Sequence, residues 1–268
     1  MTPLLAIFVD ILMPMQDRFR LLNEYYDKIF VLSLPRLTNR INFVKKTLKG
    51  LNFEFFYGID KEHVSINELK EKGLYTTEQY QQFYKKPKEI SLGMLCCSLG
   101  HLRIYETIAE KGYEKTLVLE DDALPILESL DFFSRIIQEL PEEWEILYLG
   151  CEKRENAGLR EKVKQVLYMA FPFHSQLKLT RQIFSNYYPV GISEHIAKAG
   201  FHDCTHAYAI TQQAAQKLIK EQKPVRFHPD NLLSYMASTG QLKAYVARPK
   251  LFNQLTAFVN GQDSLTSD

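Results

Sequence analysis

The tract Lys115-Thr-Leu-Val-Leu119 runs straight into Glu120-Asp121-Asp122, and no other segment limits the fold of this chain so strongly. A short, continuously apolar run rich in β-branched residues reads as a buried strand rather than a half-exposed one. Such a strand needs a covering layer on each side, which crossover helices in an α/β sheet supply. The switch to three adjacent acids then marks the strand's carboxyl end. In open α/β sheets that end is where ligands gather, because the loops there are free to vary.

Other segments repeat this grammar. Lys28-Ile-Phe-Val-Leu-Ser-Leu34 reads as a first strand that stops at Pro35. A polar turn, Pro35 to Arg40, leads into a helix marked by Ile41, Val44 and Leu48, and residues 52–57 give the second strand. Residues 61–90 are polar, Lys- and Tyr-rich, and read as short helices with a long loop. One long helix is expected from Ser91, a fitting N-cap, to Lys111, with Gly112 as its stop. Beyond the acidic triplet, the pattern predicts a helix over 127–140 and a strand over 145–149. Periodicity then breaks down from Cys151 to Gly200, a stretch read as acceptor-side loops. A strand over 205–210, helices over 212–221 and 230–238, and a strand over 243–247 close the series.

With 268 residues, 46% of them hydrophobic and 12% aromatic, the chain can fill a sizeable core. No linker or repeat divides it. The expectation is one domain over 28–268, preceded by a segment, 1–27, whose role the sequence leaves open. Thr2 to Met15 is apolar, but it carries Asp10 and is shorter than the ~20 residues that span a bilayer. A formal net charge of +1 gives no support to nucleic-acid binding. Cys96, Cys97, Cys151 and Cys204 lack zinc-site spacing and read as free thiols in a reducing cytoplasm. The Lys- and Tyr-rich stretch over 75–88 leaves open a peripheral contact with a membrane surface.

Three neighbouring carboxylates repel one another unless a cation joins them. Hard divalent ions such as Mg²⁺ or Mn²⁺ take oxygen ligands and share them with phosphates, so the triplet points to a metal and a diphosphate. The same acids also suit a solvated loop, a helix cap near Pro125, or a metal-dependent phosphohydrolase.

Several segments in consistent order resemble glycosyltransferase family 25, which includes bacterial lipooligosaccharide galactosyltransferases and relatives of the collagen galactosyltransferases. They are Val31 to Arg40, Ser91 to His101, Val118-Leu-Glu-Asp-Asp-Ala123 and Thr205-His-Ala-Tyr-Ala-Ile210, with looser likeness at His228-Pro-Asp230 and at Asn260 to Ser267. Two positions depart from the family pattern: Gly100 replaces its Ser, and Cys204 its Gly. The resemblance implies a GT-A fold, a Rossmann-like, mostly parallel sheet flanked by helices. It also implies inverting transfer of a hexose, galactose favoured, from a UDP-sugar with Mn²⁺ or Mg²⁺ to a saccharide or glycolipid acceptor. By that analogy Asp122 is the leading metal ligand, assisted by Glu120 or Asp121.

Around this core the sequence offers further candidates. Arg36 and Arg40 carry donors suited to nucleotide or phosphate oxygens, and Ser33 and Pro35 are placed to shape a base pocket. His101 is either a donor contact or a satisfied core histidine. His206 is a further metal ligand, a diphosphate contact or a packed strand residue. Inversion needs a base, for which Asp230 is the first choice and Asp203 the second. Asp230 also suits a helix cap. Trp144 reads as core. Two other functions stay open on sequence alone: a metal-dependent phosphohydrolase or nucleotidyltransferase using the same acids, and a non-catalytic binding protein built on the same fold.

Overall fold

The computed structural model describes residues 18–154, 158–171 and 177–255. The expected tail motif, 260–267, and most of segment 1–27 lie outside the described residues. In chain order the elements begin with α1 (Arg20–Tyr25), β1 (Lys28–Ser33), α2 (Thr38–Thr47), β2 (Glu54–Tyr57), α3 (Ile66–Glu71) and α4 (Thr77–Phe83). There follow α5 (Leu92–Lys111), β3 (Lys115–Glu120), β4 (Ala123–Pro125), α6 (Leu127–Leu130), α7 (Phe133–Glu139) and β5 (Ile146–Glu152). Next are α8 (Leu159–Ala170), α9 (Arg181–Ser185), β6 (Val190–Gly191), β7 (Ile196–Lys198) and β8 (Asp203–Thr211). The last elements are α10 (Gln212–Gln222), α11 (Pro229–Ser238), β9 (Ala244–Ala247) and β10 (Phe252–Gln254).

Eight strands form one sheet in the order β2-β1-β3-β8-β5-β9-β7-β6. One end of it is the expected parallel unit: β1 pairs in parallel with β2 and with β3. β5 and β9 are also parallel, whereas β8 runs antiparallel between β3 and β5. The sheet is therefore mixed. Strand β8 follows Gly200 rather than a crossover helix, so nothing obliges it to run parallel to its neighbours.

Alternation along each strand divides the core in two, as a period of two requires. Phe30, Leu32, Val118, Tyr148, Tyr208 and Ile210 face one layer with α5, α10 and α11. Ile29, Val31, Leu117, Leu119, Leu147 and Ala209 face the other, with α2 and α7. Phe19 and Leu22 are buried in that second layer, so the packed unit reaches back beyond position 28. Trp144 is buried there too, as core.

Helix α5 has the expected ends. The Ser91 hydroxyl accepts the Met94 amide, and Gly112 closes the helix at φ 73°. Three local expectations are corrected. The helix over 127–140 breaks into α6 and α7. The loop-like stretch 151–200 contains α8, α9 and the β6–β7 hairpin. The tyrosines of 75–88 are buried, Tyr75 and Tyr80 at 0% exposure and Tyr84 at 4%, so these rings are not available to a membrane. Among the described residues no helix is long and apolar enough to cross a membrane.

Candidate functional site

The acidic triplet begins at the end of β3, which lies between β1 and β8 in the sheet, and the strand pleat sends its members apart. Glu120 faces the α5 layer. The Thr205 hydroxyl donates to its Oε1 at 2.6 Å, and His101 Nε2 stands 3.4 Å away. Burial opposes the Glu120 charge, but His101 and Thr205 outweigh it and hold the carboxyl below its ordinary value. Asp121, at 0% exposure, faces the α2 layer. There it accepts the Ser33 hydroxyl at 2.7 Å and Arg40 Nη1 at 2.6 Å. Burial nonetheless pushes its carboxyl up.

Asp122 is the poorly compensated member. Gln254 Nε2 donates to its Oδ2 at 3.1 Å, and Arg40 Nη1 is 3.9 Å away. Its Oδ1 is buried without a hydrogen-bond partner among the described residues. Burial first, then repulsion from Glu120 and Asp121, raises this carboxyl to about 7. Gln254 arrives on β10, which pairs antiparallel with β4 through Gln254 and Ala123, and the Leu255 amide closes on the Asp122 carbonyl at 2.9 Å. No sequence signal pointed to Gln254.

His206 is also buried without its full complement. Its Nε2 stands 3.3 Å from the Phe252 carbonyl, and Nδ1 has no partner. Burial lowers its pKa, so the ring is held neutral, the form that ligates a metal. Gly150 makes this packing possible: a Cβ there would lie 2.5 Å from the Phe252 carbonyl oxygen. Asp122 Oδ1 and His206 Nδ1 are thus two buried atoms without a hydrogen-bond partner among the described residues, and each is of a type that can ligate a divalent ion. Both oxygens of Asp121 already accept hydrogen bonds, from Ser33 and Arg40, and so tie β1 and α2 to the strand tip.

Two clefts open near this tip. One is largely apolar and is lined by Leu32, Leu34, Gly58, Ile59, Cys96 and Gly100, with Ser33 and Arg36 at its polar side. Gly100, the departure from the family's serine, allows α5 to lie close to β1; a Cβ there would sit 3.2 Å from Leu32 Cδ1. Arg36 is held at the rim by Asp60 at 2.6 Å and Glu62 at 3.4 Å. Pro35 is exposed in the turn and does not line this cleft. His101, at 1% exposure, is bonded to the Tyr208 hydroxyl at 2.9 Å; it positions Glu120 and has no surface to offer a donor.

The second cleft, of about 300 Å³, is lined by Tyr84, Arg154, Asp203, His228, Asp230 and Asn231 among others. Asp230 lies in the first turn of α11, two residues beyond the N-cap, which is His228 rather than Asp230 itself. Its carboxylate accepts the Asn231 amide at 2.8 Å and the Cys204 amide at 3.4 Å. Burial raises its pKa, and Glu120 adds to the rise. Asp203 is in a different state: Lys153 Nζ lies 2.9 Å away and Arg154 also pairs with it. The two base candidates therefore differ in their partners: Asp203 is ion-paired with two cations, whereas Asp230 accepts backbone amides. The Lys153-Arg154 pair was missed in sequence; its position directly after β5, at another strand tip, was the available signal.

Cys204 has φ 69°, the left-handed region where glycine is at ease. The departure from the family's glycine thus falls at a backbone position that needs one, beside the irregular pairing of β5 and β8.

Among the described residues, three ligand atoms within 4.8 Å of one another belong to Glu139, Glu194 and His195, at the far edge of the sheet. Glu120, Asp122 and His206 make no such group among those residues. Glu139 there accepts both His195 Nδ1–H, at 2.6 Å, and the His195 amide, at 2.7 Å, and so fastens the hairpin to α7.

Comparison with known proteins places this geometry. The chain is 25% identical over 245 residues to a glycosyltransferase 25 family member of Anopheles gambiae, covering 83% of this chain and 36% of that one. It is 22% identical to procollagen galactosyltransferase 1 of Danio rerio, over 84% of this chain and 36% of the relative. It is 24% identical to the inactive glycosyltransferase 25 family member 3 of Mus musculus, over 84% and 36%. The chain therefore spans about a third of the length of these relatives. The model of the family described as glycosyltransferase family 25 (LPS biosynthesis protein) matches residues 26–233, from the start of β1 through the first half of α11. The chain belongs to glycosyltransferase family 25.

Proposed function

We propose that this protein transfers a hexose, galactose favoured, from a UDP-sugar to a saccharide acceptor with inversion, in the assembly of lipooligosaccharide or another surface glycan. The observation that carries the reading is Asp122, a buried carboxylate with one unpartnered oxygen at the tip of a central strand. Leaving a carboxylate in that condition is costly unless a ligand completes it. Mn²⁺ or Mg²⁺ held by Asp122 and His206, with Glu120 nearby, would neutralise the departing diphosphate. The cleft of Leu32, Gly58, Ile59 and Gly100 has the apolar walls that a nucleoside base requires, Arg36 lines it as a cation for phosphate oxygens, and Arg40 stands at the strand tip 3.9 Å from Asp122. A cytoplasmic setting fits four free cysteines among the described residues.

The acceptor enters the second cleft under this reading. Asp230 takes the proton of the attacking hydroxyl, the acceptor oxygen bonds to the anomeric carbon, and the bond from that carbon to the diphosphate oxygen breaks. The raised pKa suits Asp230 to the task, since a more basic carboxylate removes a proton more readily. Arg154 and Asp203, locked to each other, shape the cleft wall.

Calorimetry with UDP-galactose, UDP-glucose and UDP-N-acetylhexosamines, with and without Mn²⁺, tests the donor half. Binding that requires the ion is the expected result, and hydrolysis of simple phosphate esters without any acceptor would favour a phosphohydrolase instead. For the base, Asp230→Asn is expected to lower transfer by about 10²–10⁴-fold while UDP binding is kept. Unchanged transfer would remove Asp230 from the mechanism.

A further inference from the structure

Helix α8 is turned inside out. In an ordinary surface helix the apolar stripe faces the core and the charges face water. Here the partly buried positions are Glu161, Gln165, Tyr168 and Met169, and Gln165 donates to the carbonyls of Phe184 and Ser185 at 2.8 Å. The outward positions include Leu159 at 81% exposure, Val163 at 53%, Val166 at 60% and Leu167 at 52%. At 100° per residue these four side chains fall within one stripe of about 100°, opposite the buried face. Arg160 and Lys164 border that stripe on one side and Lys162 on the other, and all three are exposed. The β6–β7 hairpin beside α8 exposes aliphatic groups as well: Val190, 65% exposed, lines a crevice with Lys162 and Gln165 of α8, and Ile192 is 55% exposed.

We propose that α8 and the tip of the β6–β7 hairpin dock this protein onto an anionic lipid surface. An outward apolar stripe flanked by cations on both sides matches a helix lying in the plane of a bilayer interface, with aliphatic groups among the acyl chains and ammonium or guanidinium groups at the lipid phosphates. With 12 residues, α8 lies on a membrane and does not span it. A second copy of this chain would also cover aliphatic side chains, but the flanking charges would then oppose one another across a two-fold axis, because such an interface sets like patches together. The cationic border selects the lipid. This surface works without nucleotide, so the docking and the transfer reaction stand or fall separately.

Flotation of the full chain with vesicles settles the matter, using phosphatidylcholine alone and equimolar phosphatidylcholine and phosphatidylglycerol. The wild-type protein is expected to float with the anionic vesicles, weakly with the neutral ones, and to be released by high salt. Val163→Glu/Val166→Glu is expected to reduce binding to anionic vesicles by at least about tenfold, since it removes two aliphatic contacts and adds two charges that the lipid phosphates repel. Circular dichroism and nucleotide binding of that variant are expected to match wild type. Equal flotation of variant and wild type, or no flotation of wild type, overturns the proposal. So does light scattering that finds a wild-type dimer and a monomeric variant while neither binds vesicles, since the stripe then belongs to a second copy.

Discussion

Replacing Asp122 with Asn should make the metal-free protein more stable, and the gain should depend on pH. The Asp122 carboxyl rises from its ordinary 3.8 to about 7 because it is buried beside two other acids. A carboxyl whose folded pKa is raised destabilises the fold when ionised. The penalty is complete above about pH 7, shrinks as pH falls, and vanishes below 3.8. Roughly three pH units at ~1.4 kcal/mol each put it at about 4 kcal/mol at pH 8, and at under ~2 kcal/mol at pH 5. Asparagine removes the charge and can still accept from Gln254. Its amide nitrogen then replaces the orphaned oxygen and costs about 1–2 kcal/mol unpartnered. The net expectation is a gain of about 2 kcal/mol at pH 8 and close to none at pH 5. Urea denaturation in a chelator at both pH values measures it. Adding Mn²⁺ with UDP should then stabilise the wild-type protein and leave the variant unmoved. A variant less stable than wild type at pH 8, or an equal gain at both pH values, would refute the reasoning.

Three further outcomes follow from the same geometry. Arg40→Met leaves Asp121 at 0% exposure with Ser33 as its remaining side-chain hydrogen-bond partner, and urea unfolding should show a loss of about 3 kcal/mol; a loss under ~1 kcal/mol would mean that the carboxylate rehydrates. Cys204→Gly relieves a left-handed backbone at φ 69° and should stabilise the protein by about 0.5–1 kcal/mol in thermal or urea unfolding, the relief being partly offset by glycine's freedom in the unfolded chain; destabilisation would count against that backbone conformation. His206→Asn should weaken Mn²⁺-dependent UDP binding in calorimetry by about tenfold or more, as loss of a metal ligand does, whereas Asp121→Asn should change it far less; the reverse order would return Asp121 to the ligand set.

Much of the framework was legible because burial writes itself into strands and caps. Lys28 to Ser33 and Lys115 to Leu119 could be assigned from apolar runs, and α5 from Ser91, Gly112 and the spacing between them. The antiparallel course of β8 was not legible, since strand direction is decided by the connection that precedes it and 151–200 carried no readable pattern. Helix α8 hid in that stretch for a physical reason: a helix whose apolar side faces out and whose polar side packs inward does not fit a reading that sends apolar residues to the core. Strands β4 and β10 have three residues each, too few for a period of two to declare itself, and with them went Gln254.

The acidic triplet shows where adjacency in sequence parts from adjacency in space. Three neighbouring carboxylates suggest one ion, but residues leaving a strand alternate between its faces. Glu120 and Asp121 therefore meet different layers, one set against His101 and Thr205, the other against Ser33 and Arg40. That divergence leaves Asp122 exposed to the repulsion of both neighbours, with just Gln254 bonded to its carboxylate and Arg40 at a distance. The chain retains a strained acid where a neutral residue would fold better, and the contrast is local: Asp121, a residue away, accepts hydrogen bonds at both oxygens, from Ser33 and the partly buried Arg40. That contrast supports the proposal that positive charge is received at Asp122. The proposed pairing of Asp122 with His206 could not be read along the chain, because Asp122 follows β3 and His206 lies on β8, strands that neighbour each other in the sheet while these two residues stand 84 apart in numbering.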